Sequence, residues 1–102
     1  MDLEKAARKK AFRTPCKFRV SAICLDKRGR VLGIASNLPR LSKKGGGIHA
    51  EMAALQKWGV SIDKIMLLRF GGGGDLLPID PCENCKRILA KLKISVIKFN
   101  PR

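Results

Sequence analysis

The wide separation between His49 and the pair Cys82 and Cys85 constrains this chain more than any other feature. His49, the only histidine, stands two residues before Glu51, and Cys82, in Pro81-Cys82-Glu83-Asn84-Cys85, lies 33 residues beyond His49. Histidine and cysteine are zinc ligands, so a shared site obliges two distant segments to meet. Residues i and i+2 do not share a face within a helix, so His49 and Glu51 converge only from a helix's N-terminal end. Gly45-Gly46-Gly47 resists helix, whereas Glu51 to Trp58 is built of helix formers and closes at Gly59. Pro81 suits a second helix start, with Cys82 and Cys85 at i and i+3 and an apolar stripe of Ile88, Leu89 and Leu92 behind them. Two helix N-termini would then face one metal, and their positive dipole ends favour thiolate, carboxylate and hydroxide.

The residue types suit hydrolysis. Zinc lowers the pKa of a bound water from near 16 to roughly 7, and three protein ligands leave the fourth position open for that water. Cys82 and Cys85 as thiolates and His49 as neutral imidazole would supply those three, with Zn2+ the implied cofactor. Glu51 is then free to carry protons as general base and general acid in the deamination of an amino-substituted nucleobase. Each fragment alone has a plainer reading. A lone histidine packs or lies at a surface, and a lone Cys-x-x-Cys is a redox pair or half of a structural zinc site. A structural site takes four protein ligands, however, and the remaining cysteines, Cys16 and Cys24, lie in a different kind of segment.

His49-Ala50-Glu51 with Pro81-Cys82-Glu83-Asn84-Cys85 resembles the cytidine and deoxycytidylate deaminase superfamily, in its His-Ala-Glu branch. The resemblance runs from near Phe18 to near Phe99 and implies an α/β fold, a three-layer sandwich with a mixed sheet of about four strands and helices on both faces. It implies that Asn37, closing the second strand, binds the substrate sugar; an ordinary turn residue before Leu38-Pro39 is the alternative. It also implies that backbone amides after His49, at Ala50, and at Cys82 orient the base. One segment departs from the better-known members: Lys64 to Phe70 is followed by Gly71-Gly72-Gly73-Gly74-Asp75 and Leu76 to Asp80 before Pro81, as in small viral and microbial deaminase-like proteins. The four glycines lack a following Lys-Ser/Thr, so they read as a turn or bulge rather than a phosphate loop.

Along the chain, residues 2–13 read as a basic helix ended by Thr14-Pro15. Phe18 to Leu25 and Arg30 to Ala35 read as a hairpin around Asp26-Lys27-Arg28-Gly29, residues 38–47 as loop, and residues 64–70 and 95–99 as strands around the cysteine helix. This order implies parallel last strands joined by a crossover. With 102 residues, a single domain over 1–102 is expected, and its small core and exposed sheet edge favour a homo-oligomer. No apolar run reaches the roughly 18 to 20 residues of a membrane span, and the charged start is no secretory signal, so a soluble, intracellular, cytoplasmic protein is expected. Cys16 and Cys24 read as free thiols in a reducing compartment.

Twenty-two Lys and Arg against eight acids give a net charge of +14, a surface that attracts polyanions. Aromatic platforms for a strand are scarce, since Phe12, Phe18, Trp58, Phe70 and Phe99 mostly occupy strand or helix positions suited to packing. Three functions are therefore open. The first is a deaminase of cytosine in a free nucleoside or nucleotide; the second edits single-stranded DNA or RNA; the third is a non-catalytic zinc-stabilised module.

Overall fold

Alternation along the strand Arg19–Leu25 (β1) organises the whole molecule, because Ala22 and Cys24 point to one face of a sheet while Ser21 and Ile23 point to the other, and all four are buried. The computed structural model describes residues 3–13, 19–37, 49–79 and 83–98. The remaining described elements are helix α1 (Leu3–Ala11), strand β2 (Val31–Ser36), helix α2 (Ala50–Trp58) with a short 3-10 turn Gly59–Ser61, strands β3 (Lys64–Phe70) and β4 (Leu76–Leu77), helix α3 (Glu83–Lys91) and strand β5 (Ser95–Lys98). The parts of the expected elements at Phe18, Pro81, Cys82 and Phe99 lie outside the described residues.

The expected three-layer α/β sandwich is present. On one side of the sheet, Ala50, Ala53 and Ala54 of α2 and Leu89 of α3 pack on Ala22, Cys24, Ala35, Ile65 and Leu67. On the other, Ala7 and Ala11 of α1 pack on Ile23, Leu68 and Phe70. Alanines at these contacts let helix backbones approach the sheet closely. Ser21, buried on the α1 side, donates its hydroxyl to the Ala7 carbonyl at 2.6 Å, so the polar group carries its own partner into the core.

Among the described residues the sheet has five strands in place of about four. β1 pairs antiparallel with β2 and with β3, and β3 then shares its far edge between two partners. Lys64 to Leu67 pair in parallel with β5, and Arg69 and Phe70 pair antiparallel with β4. The added strand β4 arises because Gly71 to Gly74 form a hairpin turn. Gly71 N–H donates to the Asp75 carbonyl at 2.8 Å, and Gly74, at φ +90°, donates to the Gly71 carbonyl at 3.0 Å. The parallel pairing of β3 and β5 requires a crossover, and α3 is that crossover.

The β1–β2 turn is held at Asp26, whose carboxylate accepts from the Arg28 and Arg30 amides, both at 2.9 Å, and from Arg30 Nε at 3.2 Å. The Arg30 amide bond leads these causes in holding the Asp26 carboxyl below its usual range. Gly33 in β2 admits the Trp58 ring of α2. A Cβ there would collide with the indole, coming within 2.8 Å of Cη2 and closer still to Cζ2. Among the described residues, no helix is long and apolar enough to cross a membrane.

Candidate active site

His49 is the N-cap of α2. Its backbone is extended, at φ −67° and ψ 152°, its carbonyl accepts the Ala53 amide at 2.9 Å, and its side chain does not cap the helix. The ring is aimed instead at α3, where His49 Nδ1 lies 3.3 Å from Cys85 Sγ across 36 residues of sequence. Cys85 is the third residue of α3 and only 1% exposed, whereas Asn84 and Lys86 beside it are exposed. Helical periodicity explains the difference: Cys85 and Leu89, four apart, form the buried stripe of α3 and turn the thiol inward.

The spacing of these two atoms suits zinc. Bonds of about 2.0 Å to imidazole nitrogen and about 2.3 Å to thiolate sulfur, at a tetrahedral angle, place the two ligand atoms roughly 3.5 Å apart. The donor pair is likewise the nitrogen and sulfur set that zinc prefers. Cys82 lies outside the described residues, as do Asp80 and Pro81. Among the described residues, no three His, Cys, Asp or Glu side chains group around a common point.

Glu51 occupies the first turn of α2 and is 4% exposed, the sole buried carboxylate among the described residues. Burying a carboxylate is costly unless its surroundings favour charge. The N-terminal turn of a helix does so, because its first amides lack intrahelical acceptors and the helix dipole is positive there. Ala50, 1% exposed, is the first residue of α2, so its N–H belongs to that set.

Asn37 follows the last residue of β2. Its Oδ1 accepts the Val20 amide at 3.1 Å and its own amide donates to the Val20 carbonyl at 3.2 Å, so it extends the β1–β2 pairing by one step. Its acceptor oxygen thus has a structural task at the strand end. Cys24, 0% exposed, is a buried free thiol as expected, and burial pushes its pKa up from 9.0 to about 12. Cys16 lies outside the described residues.

Arg8 had no signal in the sequence. Its Nε donates to the Gly74 carbonyl at 3.0 Å and its guanidinium lies 5.6 Å above the Phe70 ring, so α1 grips the β3–β4 turn that leads toward Pro81. The two partners are 66 residues apart, and only the fold brings them together. Gly33 carried a signal, since glycine inside a strand marks a close approach by another group.

Residues 1–100 match the family described as the cytidine and deoxycytidylate deaminase zinc-binding region. The fold is similar to that of cytidine deaminase from Burkholderia pseudomallei, with a TM-score of 0.69 and 20% identity over 95% of this chain and 83% of the other. Cytidine deaminase from Mycobacterium tuberculosis gives 0.66 and 21% over 99% and 86%. That from Mycobacterium leprae gives 0.66 and 20% over 93% and 83%. No curated protein matches the sequence.

Proposed function

Because the chain belongs to the family of the cytidine and deoxycytidylate deaminase zinc-binding region, we infer that this zinc-dependent deaminase acts on cytosine in a free nucleoside or nucleotide. The observation that carries the reading is the approach of His49 Nδ1 to Cys85 Sγ at 3.3 Å, which joins the starts of α2 and α3 beside the buried Glu51. The solved structures of similar fold are named as cytidine deaminases, which supports cytosine over adenine.

In this reading His49, Cys82 and Cys85 would hold zinc, which when bound would make a water nucleophilic at neutral pH. Glu51 accepts the proton released by the attacking water and passes protons to the ring nitrogen and to the leaving amine. The exocyclic C–N bond breaks, a C=O bond takes its place, and ammonia departs, so one water is consumed per base. Burial of Glu51 keeps bulk water from competing for that proton. The Ala50 amide orients the base from the helix start, and Asn37 holds the sugar through Nδ2 while Oδ1 stays on Val20.

The test is a panel of free bases, nucleosides, nucleotides and single strands, incubated with zinc-loaded protein while ammonia release is followed. Turnover of a cytosine nucleoside or nucleotide is the expected result, and silence across the panel at full zinc occupancy overturns the reading. A base within a single strand is the second reading, favoured by the exposed cations that follow Cys85 on α3.

A further inference from the structure

From Asn84 to Arg102 the sequence carries six Lys and Arg and neither Asp nor Glu. Helix α3 displays several of them on one side. Cys85 and Leu89 face the core, while Lys86, Arg87, Ala90 and Lys91 are exposed, with Lys93 exposed just past the helix end. Arg87 and Lys91 are four residues apart, which separates them by about 6 Å along the axis. The one carboxylate on this helix, Glu83, lies 3.6 Å from Lys86 and one turn before Arg87, which leaves Lys91 and Lys93 without an acidic neighbour on α3.

Lys93 occupies a position that backbone chemistry reserves for glycine. Its φ is +58°, its amide donates to the Ala90 carbonyl at 3.1 Å, and the Ile94 amide donates to the Leu89 carbonyl at 2.9 Å. These two bonds form a Schellman ending, with the buried Ile94 against Leu89, and glycine is the usual residue at the left-handed position. Here the helix ends on a fourth exposed cation, in a strained conformation.

We propose that the outward face of α3, Arg87, Lys91 and Lys93 with Lys86 at its upper end, is a docking surface for the phosphate backbone of a single-stranded polynucleotide. A lone phosphate needs one or two cations, whereas this row extends over roughly 10 Å, which spans several charges of a strand. The row begins beside Cys85, so a strand that follows α3 arrives with its bases at the end of the helix where the candidate site lies. A base must be out of its stack to enter such a site, which selects a single strand over a duplex. A membrane surface fits less well. A helix that lies in a bilayer interface inserts an apolar face, and the apolar residues Cys85 and Leu89 of α3 are already committed to the core. The surface goes beyond the nucleoside reading above, because it binds a strand whether or not free nucleosides are turned over.

The test measures anisotropy of short labelled single strands of DNA and RNA with zinc-loaded full-length protein at several salt concentrations. The triple variant R87S/K91S/K93S is compared with K5S/K9S/R13S, which removes the same charge from exposed positions of the α1 segment across the sheet. The α3 triple is expected to weaken binding about tenfold or more and to reduce the logarithmic salt slope by about 2, with the α1 triple changing affinity less than about threefold. Lys93→Gly separates charge from folding, since it is expected to weaken strand binding while raising the melting temperature. Glu51→Gln is expected to keep full strand binding, so loss of deamination and loss of the docking surface are read apart. Equal losses in both triples, an unchanged salt slope, or binding of anionic phospholipid vesicles but not of strands overturns the proposal.

Discussion

At the scale of single residues, two cysteines with opposite environments make the clearest contrast. Cys85 faces the His49 ring at 3.3 Å and sits in the first turn of α3, where the helix dipole favours thiolate. Cys24 sits one residue before the end of β1, where burial raises its pKa from 9.0 to about 12 and keeps it neutral. Cys85→Ser and His49→Ala are therefore expected to weaken zinc binding by more than about 100-fold, measured by competition with a chromogenic chelator. Cys24 predicts a pH effect of definite sign. Its folded pKa lies above its unfolded value, so its contribution is intact below pH 9.0 and is lost as pH rises toward about 12. Denaturant melts across that range are expected to show a shallower loss of stability in Cys24→Ala than in the parent, and identical slopes contradict the assignment. The placement of His49 and Glu51 at a helix start, and the approach of Cys85 to His49, were legible in the sequence because a shared metal site would oblige these segments to meet. Asn37 was less so, because an asparagine after a strand serves a sugar or a turn equally well, and its Oδ1 bond to Val20 is a tertiary fact.

Among the elements, β2 and α2 depend on each other through Gly33 and Trp58. A methyl group at position 33 meets the indole, so Gly33→Ala is expected to destabilise the fold by about 1 to 3 kcal/mol, read from denaturant melts. Trimming the indole in Gly33→Ala/Trp58→Leu should return part of that loss through a non-additive coupling, and strict additivity contradicts the contact. Strands β1, β2 and β3 and helices α1, α2 and α3 were legible, since alternation, helix formers, Pro81 and Gly59 mark them locally. β4 was not. Two residues, Leu76 and Leu77, carry no periodicity, and they become a strand only because the glycine turn folds them onto Arg69 and Phe70. The grip of Arg8 on that turn is equally invisible to local pattern, since its partner is 66 residues away.

For the whole molecule, one sheet is covered by α1 on one face and by α2 and α3 on the other, so the ends of α2 and α3 that carry His49 and Cys85 lie in one layer. A metal held there ties two helices of the same layer, and its binding free energy adds to folding. Zinc at about 1,000 times its dissociation constant stabilises by about 4 kcal/mol, so chelation is expected to lower the melting temperature, and an unchanged value contradicts a bridging metal. The layered α/β class was legible from the order of elements, whereas the sharing of one edge of β3 by β4 and β5 is set by the tertiary fold and leaves no local pattern. In the reading proposed above, Glu51 moves protons at a zinc site without holding the zinc. Its most direct test is ammonia release from the best cytosine substrate by the parent and by Glu51→Gln, each assayed for bound metal. Equal zinc contents with a rate lower by about 10² to 10⁴-fold in Glu51→Gln is the predicted result. Equal rates, or loss of zinc together with activity, contradict it.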